Sequence, residues 1–199
     1  IETFGDHIIR NNYISRCGEY GIAGQKGMSR SLVCGNLIED INDKNEFGGH
    51  ETAGIKIWNC TDVSIERNLI RRTYGDIHGY GIWIDRSNQG TRISGNLVYD
   101  TIIEPIYLEA NLGPTLVDNN ILVGSRANRG LKSDSDGSIL AHDLFVDHAF
   151  DYAIQRPPPG RTVYAMEPHT LVITWRYHVR NVQNKVYNNI FSGSPRHKD

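Results

Sequence analysis

Two acids in this chain of 199 residues stand out for chemistry, Asp85 and Glu109. Each closes a short apolar stretch, GIWID (81–85) and PIYLE (105–109). In the first, Ile82 and Ile84 alternate as the buried side of a strand would, which puts Trp83 and Asp85 together on the opposite side. Two carboxyl groups held close together can divide nucleophilic and acid–base work between them. That division requires the two stretches to be stacked side by side, so the repeat that surrounds them matters first.

A unit of one small or polar residue, then Asn or Asp, then two or three apolar residues recurs along the chain. It reads NNYI (11–14), GNLI (35–38), RNLI (67–70), GNLV (95–98), NNIL (119–122), HDLF (142–145) and NNIF (188–191). Its anchors, Asn12, Asn36, Asn68, Asn96, Asn120, Asp143 and Asn189, are 24, 32, 28, 24, 23 and 46 residues apart. A period near 23–24 residues with several short strands per period predicts an all-β fold, a right-handed parallel β-helix. The LxxLxLxxN signature of a leucine-rich repeat is missing. The solenoid is expected to run as one domain over 1–199, with loop insertions at 41–53, 71–79 and 150–180. The last spacing, twice 23, reads as two turns, one of them without the mark. The chain starts inside a repeat, which reads as a piece of a longer protein.

A second strand follows each early anchor: YGIAGQ (20–25), AGIKIW (53–58), YGIWID (80–85), EPIYLE (104–109) and RGLKSD (129–134). Aligned on Gly-Ile or Pro-Ile, they turn Ile55, Ile57, Ile82, Ile84, Ile106 and Leu108 inward. One outward column is then Ala23, Lys56, Trp83, Tyr107, Lys132, and the next is Gln25, Trp58, Asp85, Glu109, Asp134. Coils of a parallel sheet lie about 4.7–4.9 Å apart, so the Asp85 and Glu109 carboxyl groups are expected roughly 5–6 Å apart. A retaining glycosidase needs about 5–5.5 Å between nucleophile and acid/base, whereas an inverting one needs about 6.5–9.5 Å. Stacked acids repel, so one of them should hold a proton. With an acid on each side, Glu109 is the expected general acid and Asp85 the ionised nucleophile. Trp58, Trp83 and Tyr107 offer flat faces suited to sugar rings, and Arg86 is placed to hold a carboxylate ionised.

Composition narrows the alternatives. Charge is near balance, 21 Lys+Arg against 23 Asp+Glu, with no basic stripe for nucleic acid. No apolar run approaches the roughly 18–20 residues of a membrane helix. Cys17, Cys34 and Cys60 lack disulfide or metal spacing and read as packed thiols, which favours a cytoplasmic over a secreted location. The histidines fit no zinc motif and SDSDG (133–137) lacks the full calcium pattern, so no metal and no cofactor are expected. Glu104, before Pro105, reads as a turn residue. Self-assembly of the chain stays open.

The same residues carry a resemblance. GIWIDRSNQGTRISGNLVYD, IYLEANLGPTLVDNNILVG and GSILAHDLF resemble the catalytic coils of the β-helical β-xylosidases of glycoside hydrolase family 120. That family has an Asp closing a GIW-type strand before a QG step, as Asp85 does before Gln89-Gly90. It has a Glu one coil later before a GP step, as Glu109 does before Gly113-Pro114. The resemblance implies a retaining, exo-acting mechanism that releases xylose from the non-reducing end of xylo-oligosaccharides. It also implies a substrate-binding role for His50 and Glu51 in HETAGIK, for His142, and for His169 in a closing loop. Trp58 and Trp83 complete the expected sugar site. The family's members are longer and add a β-sandwich domain. Two rival readings accompany this one: a β-helix lyase or polygalacturonase-like enzyme using Lys56, Lys132 or Arg86, and a glycan-binding β-helix without turnover.

Overall fold

The structure is a computed structural model that describes residues 1–46, 51–126, 129–147, 150–154 and 162–193. The described strands make three parallel sheets of seven strands each, plus one antiparallel hairpin. The chain visits the three sheets in turn, so every coil lays one strand in each. This is the parallel β-helix expected from the repeat. Its first sheet contains Glu2–Gly5, Tyr20–Met28, Ala53–Trp58, Tyr80–Asp85, Ile106–Glu109, Arg129–Ser133 and Phe150–Ile154.

The inward columns are aliphatic and stacked in register. Ile55 pairs with Ile82 and Ile82 with Ile106, while Ile57 pairs with Ile84 and Ile84 with Leu108. All six are fully buried, and each such side chain contributes about 1.5–3 kcal/mol. The glycine that opens two of these strands has a steric reason. A Cβ on Gly81 would lie 2.3 Å from the Val98 side chain and 2.6 Å from the Pro105 carbonyl oxygen.

The Asn repeat marks the corner between the second and third sheets. The residue before each anchor adopts a left-handed backbone: Asn11, Gly35, Arg67, Gly95, Asn119, His142 and Asn188 have φ between 49° and 65°. The anchors then form a buried ladder. Asn36 donates its backbone N–H (3.0 Å) and its Nδ2 (2.9 Å) to Asn68 Oδ1, and Nδ2 also reaches the Ile9 carbonyl at 3.0 Å. Asn68, Asn96 and Asn120 repeat the pattern one coil on, and Asn120 ends on Asp143 Oδ1. Each amide thus satisfies backbone groups that a sharp buried corner would otherwise strand.

Two expectations need correction. The spacing of 46 is one enlarged coil, not two, because Asp143 donates its N–H directly to Asn189 Oδ1 at 2.7 Å. The adjoining strands pair directly as well, Ile139 with Lys185 and Leu144 with Ile190. The extra length of 150–180 is also not simply loop. Phe150–Ile154 is the seventh strand of the first sheet, and Thr162–Met166 with Ile173–His178 is the hairpin. The hairpin packs on the corner that follows the first sheet. Tyr164 donates its N–H to Ser87 Oγ at 2.9 Å, Met166 donates to Gln89 Oε1 at 2.6 Å, and Val163 packs on Ala110.

Candidate active site

Asp85 and Glu109 close neighbouring strands and face each other in register. The chain turns sharply just after each, with left-handed backbone at Arg86, Ser87 and Ala110. A second, shorter ladder holds this turn. Cys60 donates its N–H to Asn88 Oδ1, Asn88 donates to Asn111 Oδ1, and Asn111 donates to Ser135 Oγ, at 3.0, 3.0 and 2.9 Å. The signal for it was present in the recurring NQG (88–90), NLG (111–113) and SDG (135–137). These amides fix the backbone two or three residues beyond each carboxylate. The three cysteines are free thiols, and burial pushes that of Cys60 up to about 12.

The outward columns fall as the alternation requires: Ala23, Lys56, Trp83, Tyr107 and Lys132 stack on one, and Trp58, Asp85 and Glu109 on the next. Outward does not mean exposed. Trp83 is only 3% exposed and Tyr107 is buried beside it, in a second apolar cluster with Tyr80 and Ala53. The Trp83 ring has the Lys56 ammonium 3.5 Å from its centroid, His78 at its edge 4.8 Å away, and Tyr107 stacked at 6.0 Å. Its indole is therefore not the open sugar platform read from the strand pattern. The second insertion covers it through His78, which also accepts the Glu51 N–H on Nδ1 at 2.8 Å. What Trp83 does present is its N–H, donated to Glu109 Oε2 at 2.8 Å.

Lys56 joins the candidate site more closely than strand reading implied. It is 2% exposed, and its ammonium pairs with Asp85 Oδ2 at 3.1 Å and with Glu51 Oε2. A lysine inside the otherwise apolar AGIKIW was the available signal. Asp85 itself is 16% exposed. Its Oδ1 is screened from solvent, receives no hydrogen bond from the described residues, and has Arg86 Nε 3.9 Å away. Asp134 does not present a third open acid. Its Oδ1 accepts the Ala110 N–H at 2.7 Å and its Oδ2 the Tyr107 hydroxyl at 3.4 Å, and burial raises its pKa. Glu104, expected in a turn, is buried against Arg129, 2.7 Å from Nε.

The other expected sugar contacts separate. Glu51 joins the site through Lys56. Trp58 is partly buried, one rung from Asp85, with Tyr20 6.3 Å from it. His50 lies outside the described residues. His169 is 81% exposed on the hairpin turn, with Nδ1 2.9 Å from Asp62 at the corner just beyond Trp58. His142 is a correction: it is the left-handed residue in the corner between the second and third sheets, one corner further along its coil from where Asp85 and Glu109 stand. Two adjoining cavities of about 440 and 250 Å³ lie between hairpin and coil, and neither has Asp85 or Glu109 in its lining. They share Asn59 and Tyr164, and the smaller also has Arg86, Ser87 and Arg176 in its wall. No cluster of three or more His, Cys, Asp or Glu suited to a metal occurs among the described residues.

Residues 1–142 match the family described as right handed beta helix region. The chain belongs to this family. Among solved structures, the β-helix is similar to XylC, solved in complex with xylose, at 33% identity and a TM-score of 0.81. That match covers 94% of this chain and 28% of XylC. A GH136 lacto-N-biosidase from Eubacterium ramulus shares the fold at 17% identity and a TM-score of 0.59, over 93% of this chain and 28% of that one. This β-helix thus spans less than a third of either relative. No curated protein sequence matches it. The resemblance to the family 120 β-xylosidases read from GIWID and IYLEA holds in three dimensions over nearly the whole chain.

Proposed function

We propose that this β-helix carries the catalytic carboxylates of a retaining, exo-acting β-xylosidase. The observation that carries the reading is the Asp85–Glu109 rung, two acids on adjacent strands of a parallel sheet. The strand spacing of about 4.8 Å suits a double displacement, in which no water needs room between acid and nucleophile. The similarity to a structure that holds xylose favours a pentose among glycosides.

In this reading Asp85 attacks the anomeric carbon and forms a glycosyl ester, while Glu109 protonates the departing glycosidic oxygen. Glu109 then takes a proton from water, and that water releases xylose with its anomeric configuration kept. The environments of the two acids fit unequal roles. Lys56 neutralises Asp85 through Oδ2, which leaves the lone pairs of Oδ1 unclaimed among the described residues. The Trp83 N–H can only donate, so the proton that Glu109 delivers sits on Oε1 and not on Oε2. Glu51 and Trp58 contact the sugar, with His169 at the rim. The lyase alternative loses one of its three candidate bases, because the Lys56 ammonium is taken up by two carboxylates.

The test is hydrolysis of a panel of aryl glycosides followed by proton NMR. β-Xylose as the first-formed product from an aryl β-xyloside is the expected result. α-Xylose, or no turnover of any β-xyloside, overturns the reading.

A further inference from the structure

We infer that Lys56 is a positioning residue that holds both carboxylates in their roles, an inference that rests on reading Asp85 as the nucleophile. Lys56 is one of the largest fully buried side chains among the described residues. A buried ammonium is costly unless it is paired. Packing gives no reason for a lysine at this position. On the coils to either side the same column holds Ala23 and Trp83, so both a small and a large uncharged side chain fit the sheet here. Among the described residues, the partners of the ammonium all belong to the candidate site: Asp85 at 3.1 Å, Glu51, the Trp83 ring at 3.5 Å and the Trp58 ring at 5.5 Å.

Two consequences follow from that placement. First, the ammonium opposes the repulsion that Glu109, on the next rung, exerts on the charge of Asp85. The groups that face Asp85 are Lys56 and Glu51 from the preceding coil, Arg86 beside it, Glu109 from the following rung, and the phenols Tyr20 and Tyr80. Burial raises both phenols, which keeps them neutral. Arg86 is the other cation, but its side chain is 60% exposed and screened by solvent. Second, the ammonium seats on the Trp83 face and so steadies the indole that donates to Glu109. One buried charge thereby touches the nucleophile directly and the acid through one side chain.

The experiment compares wild type, Lys56→Met, Lys56→Arg and Asp85→Ala on an aryl β-xyloside from pH 4 to 8, with a thermal melt of each. Removal of the cation is expected to lower kcat about 100-fold with KM within about threefold, and to move the acid limb of kcat/KM up by about one pH unit. Lys56→Arg restores the wild-type limb and at least about a tenth of kcat. If Lys56→Met does not fold, Lys56→Gln takes its place. A folded neutral variant with the wild-type limb and kcat overturns the inference while the inactivity of Asp85→Ala leaves the glycosidase reading standing. If neither neutral variant folds and Lys56→Arg does, the charge serves the fold and the positioning role is overturned. Wild-type turnover by Asp85→Ala overturns both.

Discussion

The corner between the second and third sheets and the end of the first sheet are built from the same repeat, yet they treat carboxylates in opposite ways. At the corner, Asp143 takes a rung that Asn holds on every other coil. It is 1% exposed, its Oδ1 accepts two N–H groups from Asn120, and its Oδ2 finds no partner among the described residues. Burial pushes its pKa up to about 6. At the end of the first sheet, Asp85 has a buried lysine on one oxygen and an acid on the next rung. The corner is a device for satisfying backbone groups, and a charge there is a defect. The strand end gathers charges that the fold has no use for. A buried charge that comes with its own counter-charge is the better marker of function.

That contrast predicts that changes at the strand end alter rate and changes at the corner alter stability. The largest effect is expected from Asp85→Ala and Glu109→Ala. Each should lower kcat/KM on an aryl β-xyloside by at least about 10³-fold, about 4 kcal/mol, with little change in melting temperature. Loss of stability as large as the loss of rate in both would break the comparison. Asn68→Ala comes next. It strands the Asn36 N–H and the Val33 carbonyl, and should cost about 3–5 kcal/mol in urea denaturation without changing kcat of the folded fraction.

Asp143→Asn sharpens the comparison through pH. A carboxyl whose folded pKa is about 6 against an unfolded value near 3.8 makes the native state bind the extra proton between those values. Its stabilising effect is full below about pH 4 and is lost as pH rises through about 6. The Asn variant carries no such loss, and its Nδ2 has Asn189 Oδ1 and, by the register, the Val117 carbonyl to donate to. It should match wild type near pH 4 and exceed it by roughly 1–3 kcal/mol at pH 7–8. A stability difference between variant and wild type that does not vary with pH would contradict the assignment. Trp83→Phe is expected to be smaller still. It keeps a ring under Lys56 and loses the N–H on Glu109, lowering kcat about tenfold at an unchanged melting temperature. His169→Ala, on an exposed ion pair with Asp62, should shift stability by under about 0.5 kcal/mol and raise KM if the hairpin borders the sugar.

Much of this molecule is legible from spacing alone. The Asn anchors, the inward Ile columns and the Asp85–Glu109 rung all follow from a period and from the alternation of a strand, which are local rules that each coil repeats. Whether an outward residue meets water was not legible. Trp83 and Lys56 occupy outward positions, and burial came from the second insertion, from Tyr107 on the next coil and from Glu51 on the preceding loop. His142 stands at a left-handed bend one corner along its coil from the carboxylates, a place that residue type alone does not reveal. The spacing of 46 misled because arithmetic cannot distinguish an unmarked coil from a hairpin. Periodicity by itself determined the solenoid and which acids share a rung, because both depend on how a strand pleats and how coils stack. Only the tertiary structure decided that Lys56 is buried between Glu51 and Asp85 and that Trp83 is a hydrogen-bond donor to Glu109, because burial depends on what the loops cover.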